Sequence, residues 1–236
     1  MTNFTYEIKD LEAMSKANNY HNWVFDELKN FLGEKVAEIG AGNGNFSAFL
    51  LQSPNIKKLI SVEPDKDICI LYQQNISDSR AEIVNGFLGD IKDNYSNSFN
   101  SITYVNVLEH VADDKKELSY VYDCLKDEGR ICIFVPALPF LYSEHDKSIG
   151  HFRRYTKKRL RKLLEESGFV VEKIKYFDIV GIFTWFMVYK ILKMKPKPGN
   201  VSFYDKLIIP ILRTIEQFIP LPVGKSLIAI GKKFNK

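Results

Sequence analysis

Apolar runs of strand length alternate with amphipathic stretches of helix length from about Lys35 to Asp178, the pattern of βαβ units around a mostly parallel sheet. Residues 36–39 predict a first strand, 45–52 a helix, 58–62 a second strand and 65–74 the next helix. A third strand is predicted near 82–84, a fourth over 101–107, and a helix over 113–125. The dense apolar run 130–135 predicts a buried central strand, with Gly129 supplying the turn before it. Thr156 is placed to cap a helix through Glu166, with Leu160, Leu163 and Leu164 on one face and Gly168 where the helix stops. On its other face Lys157, Lys158, Arg159, Arg161 and Lys162 read as a solvated surface rather than a nucleic-acid stripe, so no nucleic-acid partner is expected. Residues 170–176 and 226–230 predict the last strands. Between them, 179–224 is apolar and basic, helical in part and interrupted at Pro196, Pro198, Pro210, Pro220 and Pro222.

A chain of 236 residues buries one substantial core, so this organisation implies a single domain. It divides into an N-terminal helical flap (1–34), a core (35–178), an apolar and basic insertion (179–224) and a last strand with a basic tail (225–236). Cys69, Cys124 and Cys132 form no CxxC pair, which points to buried thiols in a reducing compartment and predicts no metal site. Residues 1–10 lack the basic and apolar regions of a signal peptide, and no apolar run approaches the roughly 20 residues of a spanning helix, so a cytoplasmic location is expected. Charge is uneven. From Ile179 onward ten Lys or Arg stand against Asp205 and Glu216, a net +8 that leaves −4 on the preceding residues.

The sharpest chemical signal is Val36-Ala37-Glu38-Ile39-Gly40-Ala41-Gly42-Asn43-Gly44, an apolar strand running into a glycine-rich turn and then a helix. Without Cβ atoms the turn can take positive φ and approach a ligand closely, while free N–H groups of the following helix point toward an anion. Glu63, about twenty residues on, ends the second strand, where a carboxylate accepts hydrogen bonds from both hydroxyls of a ribose. Together these predict a nucleoside site. A nicotinamide dehydrogenase also places a glycine turn before an acid, but its GxGxxG spacing wants a small residue where Asn45 stands.

From Glu38 to Gly44 the sequence resembles the first motif, E/D-x-G-x-G-x-G, of the class I S-adenosylmethionine-dependent methyltransferases. Asn106-Val107-Leu108-Glu109-His110 is similar to that family's motif after strand four, and Gly129-Arg130 to its turn into strand five. A bacterial subgroup of the methyltransferase 11/12 type is also similar in Gly150-His151-Phe152-Arg153-Arg154-Tyr155-Thr156 and in Gly224-Lys225-Ser226-Leu227-Ile228. The resemblance implies a Rossmann-like, doubly wound, mostly parallel seven-stranded sheet that binds S-adenosyl-L-methionine and releases S-adenosyl-L-homocysteine. Carried onto this chain, it implies cofactor contacts from Tyr20, Trp23, Glu38, Gly40, Ala41, Gly42, Gly44, Glu63, Pro64, Asn106 and Val107. Tyr20 and Trp23 enter through a segment similar to the flap that covers the cofactor's methionine end; packing on the sheet is the alternative for this aromatic pair. The family's usual aspartate after strand three is replaced by Phe87, which could stack on the adenine, with Asp90 as the alternative contact.

Three histidines leave the strand ends where an acceptor would sit: His110, His145 and His151. His145 with Asp146 could form a base and its orienting carboxylate, and His151, Arg154 and Tyr155 could hold an anionic acceptor or fix their loop. The N-P-P-Y signature of many amine and amide methyltransferases is absent after strand four, which favours oxygen or carbon acceptors, on a small molecule or a lipid- or glycan-linked substrate. The segment 179–224, with Lys190, Lys193, Lys195 and Lys197 beside its apolar residues, predicts a cap over the acceptor and peripheral contact with the inner membrane face. An NAD-dependent oxidoreductase and a non-catalytic membrane-surface factor on the same fold remain the alternatives. The sequence does not specify an oligomeric state.

Overall fold

Every predicted strand forms. A computed structural model describes residues 17–191, 198–218 and 222–234. Its strands are β1 (Lys35–Ile39), β2 (Lys58–Glu63), β3 (Ala81–Asn85), β4 (Phe99–Val105), β5 (Leu125–Pro136), β6 (Phe169–Phe177) and β7 (Ser226–Lys233). They make one sheet in the order β3-β2-β1-β4-β5-β7-β6, parallel except for β7, which runs antiparallel between β5 and β6. Strand order reverses beside β1, and this reversal opens a crevice at the carboxyl ends of β1 and β4. The turn into the central strand departs from expectation. Glu128, not Gly129, takes the left-handed conformation (φ +64°), and β5 bulges between its pairings at Leu125 and Arg130.

The helices are α1 (Asn18–Leu28), α2 (Ser47–Leu50), α3 (Lys66–Asn75), α4 (Leu88–Ile91), α5 (Asp114–Cys124), α6 (Glu144–Ser148), α7 (Lys157–Glu166), α8 (Val180–Trp185), which continues as a π-helical stretch over Phe186–Ile191, and α9 (Pro198–Phe218). One apolar layer joins α4, α5 and α7 to the sheet through Leu88, Leu118, Val121, Leu160 and Leu164. The opposite layer joins α1 and α9 through Trp23, Val24, Leu28, Ile209 and Leu212. As expected, Thr156 Oγ1 accepts the Arg159 N–H at the start of α7 (3.1 Å), Gly168 turns the chain at φ +91°, and all three cysteines are buried.

The insertion behaves differently from a proline-broken segment. Pro198 stands at the first position of α9, where a missing N–H costs little, and the helix continues through Pro210. Pro196 and Pro220 lie outside the described residues. The two acids of this basic region have defined work. Asp205 accepts the backbone N–H groups of Asn19 (3.0 Å) and Tyr20 (2.8 Å), supplying the cap that Ala17 cannot give α1. Glu216 accepts the N–H groups of Asp178 (3.1 Å) and Ile179 (2.9 Å) where α8 begins. The insertion is thereby tied to the start of α1 and to the residues that follow β6.

Candidate functional site

At the end of β1 the chain turns through three left-handed glycines, Gly40 (φ +68°), Gly42 (φ +55°) and Gly44 (φ +89°). A Cβ on Gly40 would lie 2.5 Å from Val107 Cγ2, and one on Gly44 2.6 Å from Ile76 Cγ1, so conformation and space both demand glycine. The N–H groups of Gly40 (2.8 Å) and Ala41 (3.2 Å) donate to the Val62 carbonyl, fixing the turn against β2. Glu63, 1% exposed at the end of β2, accepts the Gly42 N–H on Oε2 (2.9 Å) and the Asp65 N–H on Oε1 (3.1 Å). Burial raises the Glu63 acid, and these two N–H groups act in the opposite sense. A carboxylate held in this way keeps lone pairs for two hydroxyls, so the donor and acceptor set fits a ribose. Pro64 lies beside it, its carbonyl accepting from Asn85 Nδ2 (3.0 Å).

Glu38 has a different place from the one its motif implies. It is 3% exposed, accepts from Ser47 Oγ and from Ser61 Oγ (3.2 Å), and burial pushes its acid up to about 7. It therefore fastens the glycine turn to α2 and β2 from beneath, because strand alternation aims its side chain into the protein. Phe87 is 53% exposed at the head of α4. Asp90 is committed to the first turn of α4, where its Oδ2 accepts the Phe87 N–H (3.0 Å). At the exit of β4, Asn106 takes the left-handed region (φ +55°) and donates to the Phe134 carbonyl (2.8 Å), and Val107 fills the space over Gly40.

Tyr20 and Trp23 belong to the core. Trp23 is 2% exposed with its ring 3.9 Å from that of Phe177, and Tyr20 meets Phe134 and Phe177 edge-on under the Lys225 ammonium. The apolar face of α1 turns them both inward onto the sheet.

Behind Asn106 the candidate acceptor residues converge, with changed partners. Asp146 orients His151, not His145: its Oδ1 bonds His151 Nδ1 (2.9 Å) and accepts from Arg154 Nε (2.9 Å), while Oδ2 accepts from Ser143 Oγ (2.8 Å). Neighbours on a helix point about 100° apart, so His145 and Asp146 on α6 diverge, whereas Gly150 (φ +83°) swings His151 back over the carboxylate. Burial would raise the Asp146 acid, yet the bonds from His151 and Arg154 carry it down to about 2. His145 instead lies against Trp185, 5.6 Å between centroids. Arg154 is 2% exposed and neutralised by Asp146, so it binds the loop rather than an anionic acceptor. Tyr155 is fully buried, donating to Asp114 Oδ2 (3.0 Å) and lying 3.3 Å from the Leu108 carbonyl. His110 stands edge-on to His151, 4.6 Å between centroids, and burial followed by the nearby His151 lowers it to about 3. Sequence reasoning gave no role to Glu109, fully buried beside this pair, because nothing in its local pattern distinguishes it from a polar turn residue.

No curated protein matches the chain. Among solved structures it is similar to the protein in complex with the Trm112 methyltransferase activator of Haloferax volcanii (TM-score 0.66, 14% identity, 98% of this chain and 97% of that one). It is also similar to the YcgJ protein of Bacillus subtilis (0.63, 17%, 92% and 100%) and to a SAM-dependent methyltransferase of Archaeoglobus fulgidus (0.59, 18%, 90% and 94%). At such identities the likeness establishes the fold. Residues 14–174, most of the chain, match the methyltransferase domain family. With its seven-stranded sheet, glycine turn and strand-two acid, the chain belongs to the class I S-adenosylmethionine-dependent methyltransferases.

Proposed function

We propose that this protein transfers a methyl group from S-adenosylmethionine to an oxygen or carbon atom of a small-molecule or lipid- or glycan-linked acceptor that enters beneath residues 180–191. The observation that carries the cofactor half is the glycine turn locked to Glu63 by the 2.9 Å bond from Gly42. The bound cofactor supplies an electrophilic methyl on a sulfonium, so the protein's task is alignment, exclusion of water and removal of a proton where the acceptor needs it. Gly40, Gly42 and Gly44 allow close backbone approach, and Glu63 would hold the ribose hydroxyls.

The acceptor half rests on the insertion. Trp185 Nε1 donates to the Leu141 carbonyl (3.3 Å), the Arg154 guanidinium lies 4.4 Å over the Trp185 ring, and Lys190 Nζ reaches the carbonyls of Phe140 and Tyr142 (3.3 Å to the latter). These contacts roof the loop after β5. The roof carries exposed Phe183, Phe186, Met187 and Ile191, and α9 exposes Leu207, Ile211 and Ile215 at four-residue spacing. Such apolar surface favours a lipid-linked acceptor and peripheral membrane contact. Lys193, Lys195 and Lys197 lie outside the described residues, and no described helix is long and apolar enough to cross a membrane.

Calorimetry with S-adenosylhomocysteine and with NAD tests the cofactor, and NAD binding alone overturns the proposal. Transfer of labelled methyl into lipid and aqueous extracts, with sedimentation on anionic vesicles at low and high salt, tests the acceptor. Label confined to water-soluble products and no vesicle binding at low salt would remove the lipid reading.

A further inference from the structure

Glu109, His110 and His151 offer one carboxylate and two imidazole ligand atoms that all lie within 4.8 Å of one another, and all three side chains are buried. We propose that this triad binds a divalent transition-metal ion, Zn²⁺ by its ligand chemistry, at the carboxyl end of β4. The cysteine pattern gave no hint of it, because the ligands come from two segments far apart in sequence.

Three observations point the same way. Glu109 is fully buried, and neither carboxylate oxygen makes a hydrogen bond among the described residues. Its nearest charge partner is His151 Nε2, 3.7 Å from Oε1, too long for a hydrogen bond. An uncompensated buried carboxylate costs several kcal/mol, and a dication is the partner that most fully offsets it. Second, Asp146 takes His151 Nδ1 at 2.9 Å, which fixes the tautomer and turns the Nε2 lone pair toward Glu109. This is the carboxylate–histidine arrangement that orients metal-binding imidazoles. Third, the buried cation of this cluster, Arg154, is paired with Asp146 (2.9 Å) and not with Glu109.

Two histidines and a glutamate make a three-ligand set with a fourth tetrahedral position left for water or substrate. Bonds of about 2.1 Å put tetrahedral ligands about 3.4 Å apart, so the side chains must close by roughly 1.4 Å at most, within reach of χ rotation. The fourth position could take an acceptor oxygen and ease its deprotonation. That role rests on the methyl-transfer reading, whereas metal binding itself does not.

The test is equilibrium dialysis of chelator-stripped protein against Zn²⁺, read by elemental analysis, with S-adenosylhomocysteine calorimetry on the same sample. The wild type is expected to retain about one Zn²⁺ per chain, and Glu109→Gln, His110→Gln and His151→Gln to bind at least about tenfold more weakly. Asp146→Asn should weaken binding about 10–100-fold through the orienting bond, while Glu144→Gln, an exposed neighbour, leaves it unchanged. Loss of Zn²⁺ binding in wild type that still binds S-adenosylhomocysteine overturns the metal site and spares the cofactor site. Undiminished binding in any one of the three folded ligand variants also overturns it. If a variant fails to fold, Co²⁺ added to the wild type decides: intense visible bands of a four-coordinate ion support the site, and weak octahedral bands refute it.

Discussion

Replacing Glu63 by alanine removes a side chain that joins the glycine turn to the end of β2. Its carboxylate accepts two backbone N–H groups, from Gly42 (2.9 Å) and Asp65 (3.1 Å), and is nearly sealed from water at 1% exposure. Removing it strands those donors and deletes the acceptors proposed for two ribose hydroxyls. An unpaired buried polar group costs about 1–3 kcal/mol, which converts to roughly 5–150-fold in affinity. Glu63→Ala is therefore expected to weaken S-adenosylhomocysteine binding by that factor in isothermal titration calorimetry. Glu63→Gln separates binding from folding. It keeps the side-chain volume and one oxygen but turns an amide NH₂ toward either an N–H or a hydroxyl, so affinity should fall while the melting temperature moves less than in Glu63→Ala. Unchanged affinity in a folded Glu63→Ala protein would refute the assignment of the ribose to this residue.

Gly42→Val should abolish S-adenosylhomocysteine binding, since φ +55° is an outlier for a β-branched residue and its methyls would stand where the backbone must approach a ligand; binding within a fewfold of wild type contradicts this. Glu38, raised to about 7 by burial, is protonated in the folded state below that pH and charged at a cost above it, so its contribution is fully present below its unfolded value of 4.5 and lost as pH rises through 7. Glu38→Gln should therefore gain stability relative to wild type as pH rises from about 5 to 8, by up to about 3 kcal/mol in urea titrations, and a pH-independent difference would count against the buried acid. Arg154→Met should destabilise by about 3–5 kcal/mol, because it leaves Asp146 buried without its cation, and a loss below 1 kcal/mol would show the pair to be dispensable.

The core was legible because parallel strands covered on both faces must be apolar throughout, and such runs are bounded by the residues that turn or cap the chain. All of Val36, Ala37 and Ile39 are buried, and so are Ile131 to Val135. What escaped the pattern depended on contacts distant in sequence. Gly129 looks like the turn residue, yet a Cβ there would meet the Lys126 carbonyl at 2.7 Å, so glycine is required for space while Glu128 takes the unusual φ. Pro210 reads as a break, but Ile209 and Leu212 bury against the sheet layer, and that packing carries α9 past the lost hydrogen bond. Asp205 and Glu216 look like stray acids in a basic tail until the partners they cap, at Tyr20 and Ile179, are brought beside them.

The cofactor turn could be read locally because its chemistry is a property of consecutive backbone units, with Glu63 placed by the end of a single strand. The acceptor side could not, because each of its polar residues acts through a partner from another segment. Asp146 was legible as an orienting carboxylate, but sequence adjacency suggested His145, and only the return of the chain through Gly150 gives it His151 and Arg154. The same return brings Tyr155 onto Asp114, and Arg153 Nη1 onto that carboxylate as well (2.6 Å). The run from His151 to Tyr155 therefore acts as a clasp between the exits of β4 and β5: His151 faces His110, Tyr155 N–H donates to the Pro136 carbonyl (2.9 Å), and Phe152 N–H donates to the Glu109 carbonyl (2.8 Å). A clasp with so many fixed bonds holds Glu109, His110 and His151 in a preset arrangement, so an ion or acceptor bound there would meet little further ordering cost. The arginines and the tyrosine of this motif supply rigidity, and the histidine and the glutamate it covers are the groups proposed to bind the ion.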